Sequence, residues 1–184
     1  MARSYGFGAF GLVKRKVFVS YHHGNDQGYY DAFSKAFDDT YDVIYDNSIE
    51  RQIDSDNVDY VIQRIRDDFI SGSSCTIVLC GRETPWRKYV DWEIKATLDK
   101  QHGLIGVNLP PNVINASGNF TVPDRLYDNI QSGYALWTTW AQLVNSVQNL
   151  TSIIEAAIGK PRDLIVNNRP MMTRNGTPPW RSTT

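Results

Sequence analysis

Short apolar runs alternate with amphipathic stretches along the chain, and the first run sets the layout. Lys14, Arg15 and Lys16 lead into Val17, Phe18 and Val19, and Ser20, Tyr21, His22 and His23 follow. A β-branched and aromatic run that ends in small polar residues reads as a buried strand, about 15–21, closing at a polar rim. The turn-forming stretch His22–Gly28 reads as a loop. A helix over about 28–38 places Tyr29, Tyr30, Phe33 and Phe37 on one stripe. A second strand spans Tyr41–Tyr45 and ends at Asp46 and Asn47, and the charged stretch Ile49–Ser55 reads as an exposed loop. Asp56 or Asn57 caps a helix over about 57–70, with Val58, Val61, Ile62, Ile65 and Phe69 at helical spacing.

The run Cys75–Cys80 is the clearest buried strand. After it, Thr84 and Pro85 predict the start of a helix that runs over about 86–100. A fourth strand covers Leu104–Leu109, residues 112–132 read as loop with room for a short helical turn, and a fifth strand covers about 134–138. A helix over about 140–158 aligns Leu143, Val147, Leu150, Ile154 and Ile158. Leu164–Val166 is a candidate edge strand, and the last ten residues are expected to be mobile. Five short strands alternating with amphipathic helices predict an α/β fold: a flavodoxin-like, three-layer arrangement of a central five-stranded parallel sheet with helices on both faces. The expected organisation is an irregular N-terminal arm over 1–13, one domain over 14–160 and a tail over 161–184.

Composition narrows this picture little. With 184 residues, 41% hydrophobic and 21% charged, the chain can bury a core, and its net charge of −1 argues against a nucleic-acid or membrane surface. No apolar run spans a membrane, and no signal peptide is expected, which points to a cytoplasmic protein. The sequon-like triplets at Asn115, Asn119, Asn149 and Asn175 then carry no meaning. Cys75 and Cys80 lie on opposite faces of one strand and read as two buried thiols rather than a bridge.

Candidate chemistry gathers at the strand ends. Trp86, Tyr89 and Glu93 fall on one line of the predicted helix, so a carboxylate sits beside two flat rings at the border of core and solvent. Such a site suits a ligand with a ring and a diol. Periodicity alone leaves a second reading open, in which Glu93 is solvated and the rings only pack. The loops after the first two strands add His22, His23, Asn25, Asp26, Asp46 and Asn47 on the same sheet edge. Two adjacent histidines in an extended chain point apart, and no partner stands at zinc-ligand spacing, so hydrogen bonding or stacking is favoured over metal. No G-x-G-x-x-G or P-loop pattern occurs. A phosphoacceptor receiver domain is disfavoured, because Gly81 follows the third strand where a carboxylate is needed.

These residues together resemble the TIR domain superfamily in its bacterial TIR-like branch, and within it the TIR proteins of Thoeris antiphage defence. The likeness rests on Val17–Tyr21 as the first strand, on Asp46 opening the BB loop, and on Trp86–Ile94 as the helix in which an aromatic precedes the key glutamate by four positions. That aromatic is Tyr89 here, where the family usually has Trp. The resemblance spans about 15–158. It implies an NAD+-consuming enzyme with Glu93 as catalytic residue and Tyr21, His22, His23, Asn25, Asp46, Asn47, Trp86 and Tyr89 as substrate-binding residues. NAD+ would be the substrate, with no resident cofactor or metal. The product would be a cyclic ADP-ribose variant read by a separate effector, for which this chain has no room. Assembly into homo-oligomers on activation is also implied. The alternative is a TIR adaptor without chemistry that acts by self-association.

Overall fold

The protein is described by a computed structural model over residues 14–45, 57–110, 112–115, 118 and 120–179. The expected arm over 1–13, the loop Ile49–Ser55, and Asp46 and Asn47 lie outside the described residues. Five parallel strands form one sheet in the order β2-β1-β3-β4-β5, which is the order of the flavodoxin-like fold. The strands are β1 Arg15–Ser20, β2 Tyr41–Tyr45, β3 Cys75–Cys80, β4 Gly103–Asn108 and β5 Leu136–Thr139. In register, Ser20 of β1 lies beside Val78 of β3, and Cys80 of β3 beside Asn108 of β4.

The helices are α1 His23–Phe37, α2 Val58–Arg64, α3 Lys88–Asp99, α4 Asp124–Gln131, α5 Trp140–Leu143 and α6 Val147–Ile158. Strand residues alternate between two cores, as the pleat requires. Val17, Val19, Cys75 and Ile77 face Phe33, Phe37, Leu150 and Ile154 of α1 and α6. Phe18 meets Val61, Ile62 and Trp92, while Val78 and Cys80 meet Ile94, Leu98 and Leu126 on the other side. The two cysteines therefore sit on opposite faces. Burial pushes both thiols far above their usual range, which leaves them inert.

Several boundaries differ from the sequence expectation. Helix α1 begins at His23 rather than near 28, because the amides of Asn25 and Asp26 turn back onto the His22 carbonyl. Tertiary contacts override the turn propensity of Gly24, Asn25 and Asp26. The Asn57 side chain caps α2, and the helix then widens into a π-type turn over Ile65–Ile70. An i→i+5 turn stacks residues five apart, and Ile65 and Ile70 are both fully buried.

The stretch over 112–132, expected as loop with room for a short helical turn, contains the eight-residue helix α4. Leu126 and Ile130, four apart, pack on the core, while Arg125 and Asn129 are buried beside them. The helix expected over 140–158 is split, since Ser146 caps a new helix by accepting the Asn149 amide. Leu164–Val166 forms no strand: a 3-10 turn covers Arg162–Leu164, and the Val166 backbone bonds the Asn129 side chain. Of the last ten residues, Asn175 and Gly176 are tied to the body of the domain. No helix among the described residues is long and apolar enough to cross a membrane.

Candidate functional site

In a sheet of this order the chain leaves β1 toward β2 on one side and returns to β3 on the other. The crevice beyond the carboxyl ends of β1 and β3 is the topological switch point, where open α/β sheets take their ligands. Buried polar side chains collect there. Ser20 ends β1, Asp26 sits in the first turns of α1, Glu83 and Thr84 follow β3, and Glu93 projects from α3. All five are 5% exposed or less.

Glu93 is held by the Ser20 hydroxyl, which donates to its Oε2 at 2.5 Å. One turn on, the Thr97 hydroxyl donates to the Glu93 carbonyl at 2.8 Å and meets Thr76 of β3 at 2.7 Å. The carboxylate is thus fixed from the strand side and its backbone from the sheet side. Sequence placed Glu93 at the border with solvent; the structure buries it.

Beside it, the loops after β1 and β3 are joined. The Thr84 hydroxyl lies 3.0 Å from Asp26 Oδ2 and 3.2 Å from the Leu79 carbonyl, and accepts the Gly81 amide at 3.0 Å. Thr84 therefore ties loops together instead of capping the helix predicted to follow it. Gly81 makes the approach feasible, since a Cβ there would fall 2.2 Å from Asp26 Oδ1. Burial raises the Asp26 carboxyl to about 6, a shift that the Thr84 hydrogen bond partly offsets. Glu83 pairs with Arg87, and His22 Nε2 stands 3.6 Å from Glu83 Oε2.

The remaining residues expected in the site divide into three groups. Tyr21 is buried, stacks on Tyr30 with centroids 4.9 Å apart and donates to Gln27 at 2.9 Å, so it forms wall. His23 lies against the Tyr21 ring at 4.3 Å, and Asn25 is exposed in the first turn of α1. Of the two aromatics expected on one helical line with Glu93, only Tyr89 shares α3 with it. Trp86 belongs to a separate 3-10 turn, Thr84–Trp86, and Arg87 is extended before α3 begins. Pro85, which predicted the helix start, opens that short turn instead.

Trp86 lines a cavity of about 410 Å³ with Pro85, Pro123, Arg169 and Met172, and Glu93 is not among its walls. Tyr89, one turn before Glu93, meets the edge of Trp92 at 5.3 Å, under Lys88. Among the described residues no cluster of three or more His, Cys, Asp or Glu side chains could hold a metal ion. Sequence reasoning missed Ser20 as the partner of Glu93, and missed Glu83. Ser20 carried a signal in its position at the last residue of a buried strand; Glu83 carried none.

A family model described as Thoeris protein ThsB, TIR-like domain, matches residues 18–113, just over half of the chain. The matched span runs from β1 through β4 and includes Ser20, Asp26, Glu83 and Glu93. No curated protein matches the chain.

Proposed function

The chain belongs to the TIR-like domain family of the Thoeris protein ThsB, and from that premise we propose that it consumes NAD+, cleaving the nicotinamide–ribose bond and releasing a cyclic ADP-ribose variant that activates a separate effector. The observation that carries this reading is Glu93, a buried carboxyl group fixed by Ser20 at the β1/β3 switch point. Nicotinamide leaves NAD+ as a neutral ring from a cationic nitrogen, so cleavage requires no general acid. It requires support for an oxocarbenium-like ribose and a grip on the ribose hydroxyls. A preorganised Glu93 carboxylate supplies both, because the Ser20 hydrogen bond removes its need to reorient as charge develops.

His22 and Asn47, from the loops after β1 and β2, would hold ribose or phosphate, and Tyr89, one turn before Glu93, would stack the nicotinamide. Exclusion of water would let a second hydroxyl of the same molecule capture the ribosyl cation, giving a cyclic product instead of linear ADP-ribose.

The test incubates purified protein with NAD+, with and without lysate from phage-infected cells, and separates products by mass. Loss of nicotinamide with a product at the mass of cyclic ADP-ribose is expected, and it should vanish in Glu93→Ala. Linear ADP-ribose would make the protein a hydrolase. Intact NAD+ under both conditions would favour the adaptor reading, for which exposed Ile114, Phe120 and Tyr127 offer contact surface.

A further inference from the structure

Arg125 is fully buried, and each arm of its guanidinium is occupied. Nε donates to Asp91 Oδ1 at 2.8 Å, Nη1 to Asn167 at 2.9 Å, and Nη2 to the Pro170 carbonyl at 3.2 Å and to Asp91 Oδ2 at 3.4 Å. Asp91 is on α3, two residues before Glu93, and its Oδ2 also accepts the Met172 amide at 2.9 Å. Around this hub the segment 166–176 runs along α3 and binds it repeatedly. Asn167 reaches the Lys95 carbonyl at 3.4 Å and Asp99 at 2.8 Å. The Trp92 indole donates to the Met172 carbonyl at 2.8 Å. Asn175 Oδ1 accepts the Lys88 amide at 3.0 Å, capping the first residue of α3 from a distance in sequence. The Gly176 amide donates to the Trp86 carbonyl at 2.8 Å, where a Cβ on Gly176 would strike the indole.

At about 100° per residue, Lys88, Asp91, Lys95 and Asp99 form a stripe centred roughly 200° round the helix from Glu93. The segment therefore grips the face of α3 opposite the one that presents Glu93 to Ser20. We infer that residues 166–176 are a strap that sets the position of α3, with Asp91 and Arg125 as positioning residues for Glu93. This inference rests on the enzymatic reading of Glu93 given above. Its physical basis is the cost of desolvating a guanidinium and a carboxylate, which is recovered only in one fixed geometry. The strap lies outside the span matched by the family model, as do β5 and α6.

The test loosens the strap without touching the core or Glu93. In Asn167→Ala/Asn175→Ala, amide hydrogen exchange over residues 88–94 should accelerate at least tenfold. In the same variant kcat for NAD+ should fall at least fivefold with KM little changed. Asn175→Asp keeps an acceptor for the Lys88 amide and should behave as wild type. Asn175→Ala alone, which removes only the acceptor of the Lys88 amide, should show the same pattern more weakly, and it serves if the double variant fails to fold. Unchanged exchange over 88–94, or faster exchange with wild-type kcat, would overturn the inference. Exchange requires no substrate, so it reports on the strap even if wild-type protein leaves NAD+ intact, an outcome that would instead retire the enzymatic reading.

Discussion

At the amino edge of the sheet, Arg15 meets Glu155 at 3.0 Å and Lys16 meets Asp42 at 3.7 Å, and all four side chains are 40–53% exposed. At the carboxyl edge, Ser20, Asp26, Glu83, Thr84 and Glu93 are nearly sealed from water. Water satisfies the first set at little cost. The second set depends on partners the protein supplies, and each buried carboxyl group there opposes folding unless it is held. A fold that retains several such groups at one edge, and at its switch point, is organised around them.

The sharpest way to test the contrast is Glu93→Gln. The amide retains shape and can still accept from Ser20, but it cannot support developing positive charge. NAD+ turnover should fall about a thousandfold with little change in thermal stability. Turnover within tenfold of wild type would remove Glu93 from the chemistry.

Asp26 tests the cost of burial directly. Its folded-state pKa of about 6 lies above its ordinary 3.8, so the folded protein holds this proton more tightly than the unfolded chain does. Stability should therefore decline as pH rises from about 4 to about 6 and stay lower above that window. Asp26→Asn abolishes the titration and still offers an oxygen to Thr84. Relative to wild type it should gain up to about 3 kcal/mol at pH 8 and nothing at pH 4. Urea unfolding at both pH values measures this, and a difference that ignores pH would refute the cause.

Gly81→Ala addresses the same junction from the other strand. The added methyl meets the Asp26 carboxyl, and the loops after β1 and β3 must part or strain, at about 1–3 kcal/mol. In Gly81→Ala/Asp26→Ala the clash partner is gone, so the two changes should couple by at least about 1 kcal/mol. Additive losses would mean that the junction is looser than its distances indicate.

How much of this was legible in the sequence differs by the kind of interaction. Val17–Val19, the run from Cys75 to Cys80 and the run Leu104–Val107 announce themselves as buried strands, because burial on both faces leaves a continuous apolar run. The β-α alternation then supplies the parallel sheet. Glu93 was singled out by its spacing from Tyr89 and by the family resemblance, and its burial at the switch point fits that choice without testing its role.

The polar ties were invisible. Thr84 and Asp26 are 58 residues apart, and Arg125 and Asp91 are 34 apart. A hydrogen bond across that separation leaves no local periodicity. Helix α4 was expected only as a short helical turn, because just Leu126 and Ile130 mark its apolar side while Arg125 and Asn129 are buried beside them. The 166–176 strap was missed because its attachment is mainly backbone amides, carbonyls and short side chains, which any irregular segment contains.

The smallest effect belongs to the amino edge, and it is diagnostic because it is small. Arg15 and Glu155 approach within an ordinary ion-pair distance, yet exposure lets solvent and salt screen them. A double-mutant cycle of Arg15→Ala and Glu155→Ala should give a coupling of about 0.2–1 kcal/mol at low ionic strength. That coupling should shrink toward zero in 1 M salt, where screening acts within about 3 Å. The Gly81–Asp26 coupling is steric and buried, so the same salt should leave it unchanged. If instead the Arg15–Glu155 term exceeded about 1.5 kcal/mol and survived salt, the amino edge would be holding charge as tightly as the carboxyl edge. The contrast that singles out the β1/β3 crevice would then fail on its own ground.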